Sequence, residues 1–133
     1  MIVVDTNVIA YLWLPGPYTA AAERVWRADS DWRAPLLWRS EFRNVLVGCL
    51  RRRRLSLDTA VRIVVEAEAQ LGGKEYAVPS REVIQRAAGS RCSAYDCEFV
   101  VLADDLGVPL VTSDAQVLES FPRIARPLAT YAP

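Results

Sequence analysis

A chain of 133 residues with 52% hydrophobic and 24% charged side chains has the size of one domain, spanning 1–133, and enough apolar material to bury a core without disulfides. Its 16 basic and 16 acidic residues cancel, which argues against bulk electrostatic attraction to nucleic acid, and the absence of histidine excludes imidazole acid–base chemistry. Cys49, Cys92 and Cys97 are odd in number, lack metal-ligand spacing and read as reduced core thiols, while the lack of a membrane-length apolar run or a signal-peptide pattern points to the cytoplasm.

In chain order, Met1 to Val4 is a short β-branched run that stops at Asp5, the pattern of a strand buried on both faces. The apolar residues from Val8 to Trp13 predict a covered helix, ended by Leu14-Pro15-Gly16-Pro17. Thr19 is placed to cap a second helix with Ala22, Val25 and Trp26 on one face. Trp32 to Leu37, interrupted by Pro35, predicts a strand that is brief or at an edge.

Ser40 is expected to start the clearest helix, with Phe42, Val45, Leu46, Cys49 and Leu50 as its apolar stripe. It runs into Arg51-Arg52-Arg53-Arg54. Ser56 or Asp58 caps the following helix, whose expected stripe is Val61, Val64, Val65 and Leu71, and Gly72-Gly73 stops it. Tyr76 to Val78 predicts a short strand, and Ser80 to Gly89 a helix carrying Val83, Ile84, Ala87 and Ala88. Ser93 caps a helix over 94–106 that ends at Gly107. Leu110 to Thr112 predicts a strand, Ser113 and Gln116 have capping-box spacing, and Ile124-Ala125 is a weak last strand. Strands alternating with helices imply an α/β fold with a parallel sheet covered on both sides.

Charge is unevenly distributed. Residues 24–62 carry ten Arg and four acids, residues 63–119 four bases and ten acids, and Lys74 is the only lysine. Guanidinium groups suit phosphate, although genomic composition accounts equally well for an Arg excess. The Arg51 to Arg54 run complements a helix C-terminus and is also available to phosphate.

Four acids stand at helix starts or strand ends: Asp5, Glu41, Asp96 and Asp114. Any one alone is explained as a carboxylate stabilised by a first helical turn, where Glu41 is expected to lie. Converging, they would repel, and the compensation such a cluster needs is a proton or a cation that prefers oxygen, Mg²⁺ or Mn²⁺. Glu98 and Asp105 are assigned to the solvated side of their helix.

Val4-Asp5-Thr6-Asn7, Ser40-Glu41 followed by Asn44-Val45-Leu46, Tyr95-Asp96 opening a long apolar helix, and Leu106 to Asp114 together resemble a PIN domain, and in size and layout the VapC toxins of toxin–antitoxin pairs. The resemblance covers essentially the whole chain. It implies a three-layer α/β/α sandwich around a four- or five-stranded parallel sheet, and metal-dependent hydrolysis of RNA that leaves a 5′-phosphate and a 3′-hydroxyl, with one or two ions. It makes Asp5 and Asp96 direct ligands, Asp114 a direct or water-mediated ligand and Glu41 a ligand or water-orienting base, with Asn7, Thr112 and Ser113 as polar neighbours. No further acid follows Asp114, where some related nucleases carry one. Arg43, Arg91 and Arg51, Arg52, Arg53 and Arg54 are candidates for RNA backbone contacts.

All four Trp fall in the first third of the chain. Core packing is the ordinary use of such residues. The resemblance implies instead a groove for a VapB-like antitoxin, including some of Tyr11, Trp13, Trp26 and Trp38, and a homodimer through the same region. A haloacid-dehalogenase-like phosphatase or a receiver domain is disfavoured by Asn7 in place of a second acid and by the position of Lys74. A non-catalytic PIN-like module that binds RNA or protein is the alternative.

Overall fold

The computed structural model describes residues 1–132. Its elements run β1 (Ile2–Val4), α1 (Thr6–Trp13), α2 (Thr19–Ala28), β2 (Trp32–Pro35), α3 (Leu37–Arg51), α4 (Leu57–Gln70), β3 (Glu75–Tyr76), α5 (Ser80–Ala88), α6 (Ala94–Leu106), β4 (Leu110–Val111), α7 (Ala115–Ser120), β5 (Ala125–Arg126) and a closing 3₁₀ turn, Leu128–Tyr131. The five strands form one sheet in the order β3-β2-β1-β4-β5, and every neighbouring pair is parallel.

Helices α1 to α4 pack among themselves, whereas α5 packs on α6 and α6 spans β1, β2 and β4. Right-handed crossovers put these two groups on opposite faces, because the chain first steps from β1 toward β3 and then returns past β1 to β4. β1 is consequently central, and Ile2, Val3 and Val4 are all buried. Between the sheet and α6 the core is filled by Phe99, Val100 and Ala103. Gly107 ends α6 at φ +67°, with nothing within 4 Å of an added Cβ. Gly107→Ala is therefore expected to cost about 1 kcal/mol through backbone strain alone, read as a lower urea midpoint; an unchanged midpoint would contradict the left-handed cap.

Several boundaries differ from the sequence expectation. β2 is brief but internal, between β1 and β3. Ala34 and Leu36 donate to Lys74 and Tyr76, and Pro35 takes the alternate position, where no N–H toward β3 is required. Helix α3 begins at Leu37 rather than Ser40, because Trp38 and Phe42 are both fully buried one turn apart and the apolar stripe extends back to include Trp38. Thr19 is the first residue of α2, not its cap; its hydroxyl accepts from Gly16 N and donates to Leu14 O, closing the Pro-Gly-Pro turn.

On α4 the buried face is Ala60, Ile63 and Ala67. Val61 and Val65 are 51% and 58% exposed, so the expected valine stripe lies largely outside the core, apart from half-buried Val64. Ile84 of α5 is exposed too. Cys92 and Cys97 are buried, Cys49 is half-buried, and all three are free thiols. No helix among the described residues is long and apolar enough to cross a membrane.

Candidate active site

The sheet reverses its direction of growth between β1 and β4, the crevice in which parallel α/β folds place their ligands. Asp5 leaves β1 there and caps α1, its Oδ1 accepting from Thr6 N at 2.8 Å. Its Oδ2 accepts from Thr112 Oγ1 at 2.7 Å. Thr112 is fully buried at the end of β4, and the same hydroxyl accepts from Asp114 N at 3.0 Å. One threonine thus ties the loops after the two central strands together.

From the other side, the buried Thr6 donates to Glu41 Oε1 at 2.7 Å. Glu41 lies in the second turn of α3, not the first, since the helix starts at Leu37. Asp96 sits in the first turn of α6 in a capping box with Ser93. Asp114 is the N-cap of α7, its Oδ1 accepting from Gln116 N and Val117 N at 2.9 and 3.1 Å. The cap is therefore Asp114 rather than Ser113, whose hydroxyl is paired with Tyr11 OH at 2.9 Å.

These placements bring three of the acids into one field. Burial pushes the Asp5 carboxyl up to about 6, opposed by the hydrogen bonds from Thr112 and Thr6 and reinforced by the Glu41 and Asp96 charges. Burial likewise raises Glu41, with Asp96 adding to it and Thr6 opposing. Glu98, assigned from sequence to the solvated side of α6, is also raised by burial and by the Glu41 charge. It belongs to the neighbourhood of the cluster, and no spacing marks it in the sequence, since residues two apart on a helix do not share a face. Asp114 joins through the Thr112 bridge rather than through this field.

Such a set fits a hard divalent cation. Every donor is oxygen, neighbouring carboxylates disfavour the charges of Asp5 and Glu41, and Asn7, two residues from Asp5, carries a buried Oδ1 with no hydrogen-bond partner. Oxygen ligands of this kind are what Mg²⁺ and Mn²⁺ take. No three acids among the described residues stand close enough to grip one ion directly, and Mg²⁺ commonly retains several waters between itself and its protein ligands.

The other predicted residues separate into groups. Arg51, Arg52, Arg53 and Arg54 are all exposed at the end of α3, and Arg53 has a left-handed backbone with φ 56°. Arg43 is exposed and 3.7 Å from Glu68. Arg91 is exposed in the loop before α6. Trp13, with its Nε1 donating to Gln70 at 2.8 Å, and Trp26, edge-on to Trp32 at 5.2 Å, are half-buried and line a cleft of about 410 Å³ with Leu12 and Glu66.

Trp38 does not belong to that cleft. It is fully buried and donates its Nε1 to Glu75 at 2.7 Å. Sequence gave no sign of the pair that surrounds it: Arg39 holds Glu75 with two hydrogen bonds of 2.6 and 2.7 Å, which keeps the Glu75 carboxyl below its ordinary range and fastens α3 to β3.

A family model described as the PIN domain matches residues 2–127. Ribonuclease VapC3 of Pyrobaculum aerophilum is 30% identical over 129 residues, covering 95% of this chain and 98% of that protein. Among solved structures, PAE2754 from Pyrobaculum aerophilum superposes with a TM-score of 0.77 at 22% identity, over 97% of this chain and 91% of that one.

Proposed function

The chain belongs to the PIN domain family, and from that premise we propose that it is a metal-dependent endoribonuclease of the VapC type, the toxin half of a toxin–antitoxin pair. The observation that carries the chemistry is the burial of Asp5 and Glu41 as neighbours in the field of Asp96, beside the orphaned Asn7 oxygen. In this reading Asp5, Asp96 and Asn7 face the cation, Asp114 holds it directly or through water, and Glu41 is a ligand or orients the attacking water. A bound Mg²⁺ or Mn²⁺, one ion or two, supplies a water of lowered pKa and neutralises charge on the phosphodiester.

The chain's own part is positional. Thr112 and Thr6 spend their hydroxyl protons on Asp5 and Glu41, which leaves Glu41 Oε2 without a hydrogen-bond donor among the described residues. That oxygen is available to take a proton from water. Attack of the resulting hydroxide on phosphorus breaks the bond to the 3′ oxygen, which takes up a proton from solvent, leaving a 3′-hydroxyl and a 5′-phosphate. The exposed arginines Arg43, Arg51 to Arg54 and Arg91 are assigned to the RNA backbone. Cleavage of single-stranded RNA should require Mg²⁺ or Mn²⁺, stop with EDTA, and fall at least about a thousandfold in Asp96→Asn. Cleavage that survives chelation and this substitution would overturn the metal-dependent site, whereas no cleavage with either ion would leave a non-catalytic PIN-like binding module.

The partner surface belongs to the same proposal. The cleft of Leu12, Trp13 and Trp26 is assigned to an apolar segment of a VapB-like antitoxin; Tyr11, whose hydroxyl pairs with Ser113, does not line it. Leu57, Val61 and Val65 recur every fourth residue along α4 and are more than half exposed, which supports a second protein contact there, that of a homodimer. Val61→Asp is expected to shift the isolated protein to a monomer by analytical ultracentrifugation while leaving its melting temperature within a few degrees. A wild-type protein that is already monomeric at micromolar concentration would remove the dimer.

A further inference from the structure

A cleft of about 880 Å³ lies outside the carboxylate cluster, between segments that flank Asp96 and Asp114 in sequence. It opens between the loop that delivers Asp96 and the helix capped by Asp114. Gly89, Ser90 and Arg91 form one wall, and Gln116, Glu119 and Ser120 of α7 with its vicinity form the other. The walls are tied at their base, where Cys92 Sγ lies 3.8 Å from Gln116 O and Ser90 Oγ accepts from Cys92 N at 3.2 Å. Small residues, Ala88 and Ala115 among them, leave the space open.

The cleft's polar side chains are free to meet a ligand. Arg91, Glu119 and the Gln116 carboxamide make no side-chain hydrogen bond or ion pair among the described residues. A guanidinium that donates, a carboxylate that only accepts and an amide that does both stand around one space of nucleotide size. Glu119 cannot be a second phosphate contact, because like charges repel. Its natural complement is a pair of adjacent N–H donors, and among the RNA bases only guanine presents two on its Watson–Crick edge, at N1 and N2.

Resting on the ribonuclease reading, we infer that this cleft is a specificity subsite that holds one unstacked guanine flanking the scissile phosphate, with Glu119 on the base edge and Arg91 on the adjoining phosphate. The subsite lies within one loop of both Asp96 and Asp114, so a base seated there fixes which phosphodiester reaches the acids. Gln116 is left to the exocyclic oxygen.

The test is binding, so that it does not depend on cleavage. Fluorescence anisotropy in EDTA compares oligouridine strands carrying a single guanosine, inosine or adenosine; repulsion by the bare acid cluster is then the same for all strands. The wild type is expected to prefer guanosine over inosine, which lacks only the N2 amine, by about tenfold. Glu119→Gln should reduce that preference to within about twofold, and Arg91→Ala should weaken all strands alike by several-fold. Both positions are exposed, and a circular dichroism spectrum and melt confirm the fold. A wild type that does not distinguish guanosine from inosine, or a Glu119→Gln variant that still does, overturns the subsite. Selective binding without any Mg²⁺-dependent cleavage would keep the subsite and overturn the nuclease reading instead.

Discussion

Asp5→Asn is expected to make the metal-free protein more stable at pH 7. Burial pushes the Asp5 carboxyl up to about 6, from 3.8 for a free aspartate, so the native state binds more protons than the unfolded chain between these values. The sign follows from linkage: the stabilising contribution is complete below about pH 4 and is lost as pH rises through 6. A shift of that size is worth about 3 kcal/mol. Asparagine removes the charge and keeps an oxygen for Thr6 N; its amide faces the Thr112 hydroxyl, which has a second lone pair with which to accept. After the weaker hydrogen bonds are discounted, a rise of roughly 5–10 °C in melting temperature at pH 7 is expected in EDTA, shrinking toward zero at pH 4. A variant less stable than wild type at pH 7 would make Asp5 an ordinary helix cap.

Trp38→Ala is expected to have the opposite and larger consequence, a loss of about 3–5 kcal/mol. The indole is fully buried against Phe42, with ring centroids 5.8 Å apart. Truncation opens a cavity in the layer between α3 and the sheet. It also strips one donor from Glu75, a nearly buried carboxylate that Arg39 alone must then satisfy. Total stabilities of such domains are only about 5–15 kcal/mol, so the variant should be partly unfolded at 37 °C, as a urea midpoint would record. A loss below about 1 kcal/mol would return Trp38 to the surface on which sequence had placed it with Trp13 and Trp26.

The difference between these tryptophans shows where sequence is legible and where it is not. Strand ends and helix caps are local chemistry, so Val4-Asp5, Ser93 and Gly107 could be read directly, and with them the parallel α/β order and the positions of Asp5, Asp96 and Asp114 at element ends. Which face of a helix is buried depends on what it packs against. Val61 and Val65 obey helical periodicity as well as Ile63 and Ala67 do, and only the packing of α4 on α1 and α3 decides which face is inside. Trp38 was misread for the same reason, because the start of α3 at Leu37 is imposed by burial under the sheet rather than by a capping residue. Thr6 and Thr112 carry no catalytic signature of their own, yet they set the hydrogen bonding of Glu41 and Asp5. Glu98 was discounted by assigning it to solvent, whereas it feels the Glu41 charge.

The central claim is that Asp5, Glu41 and Asp96 gather their carboxylates at the end of β1 to take a divalent cation. Mn²⁺ binding followed by electron paramagnetic resonance tests it without RNA or a partner. The account predicts saturable binding by the wild type, one or two ions per chain, that is weakened at least tenfold by Asp5→Asn and by Asp96→Asn in protein whose fold is intact. Equal Mn²⁺ affinity in the wild type and both variants, or no saturable binding at all, would contradict it.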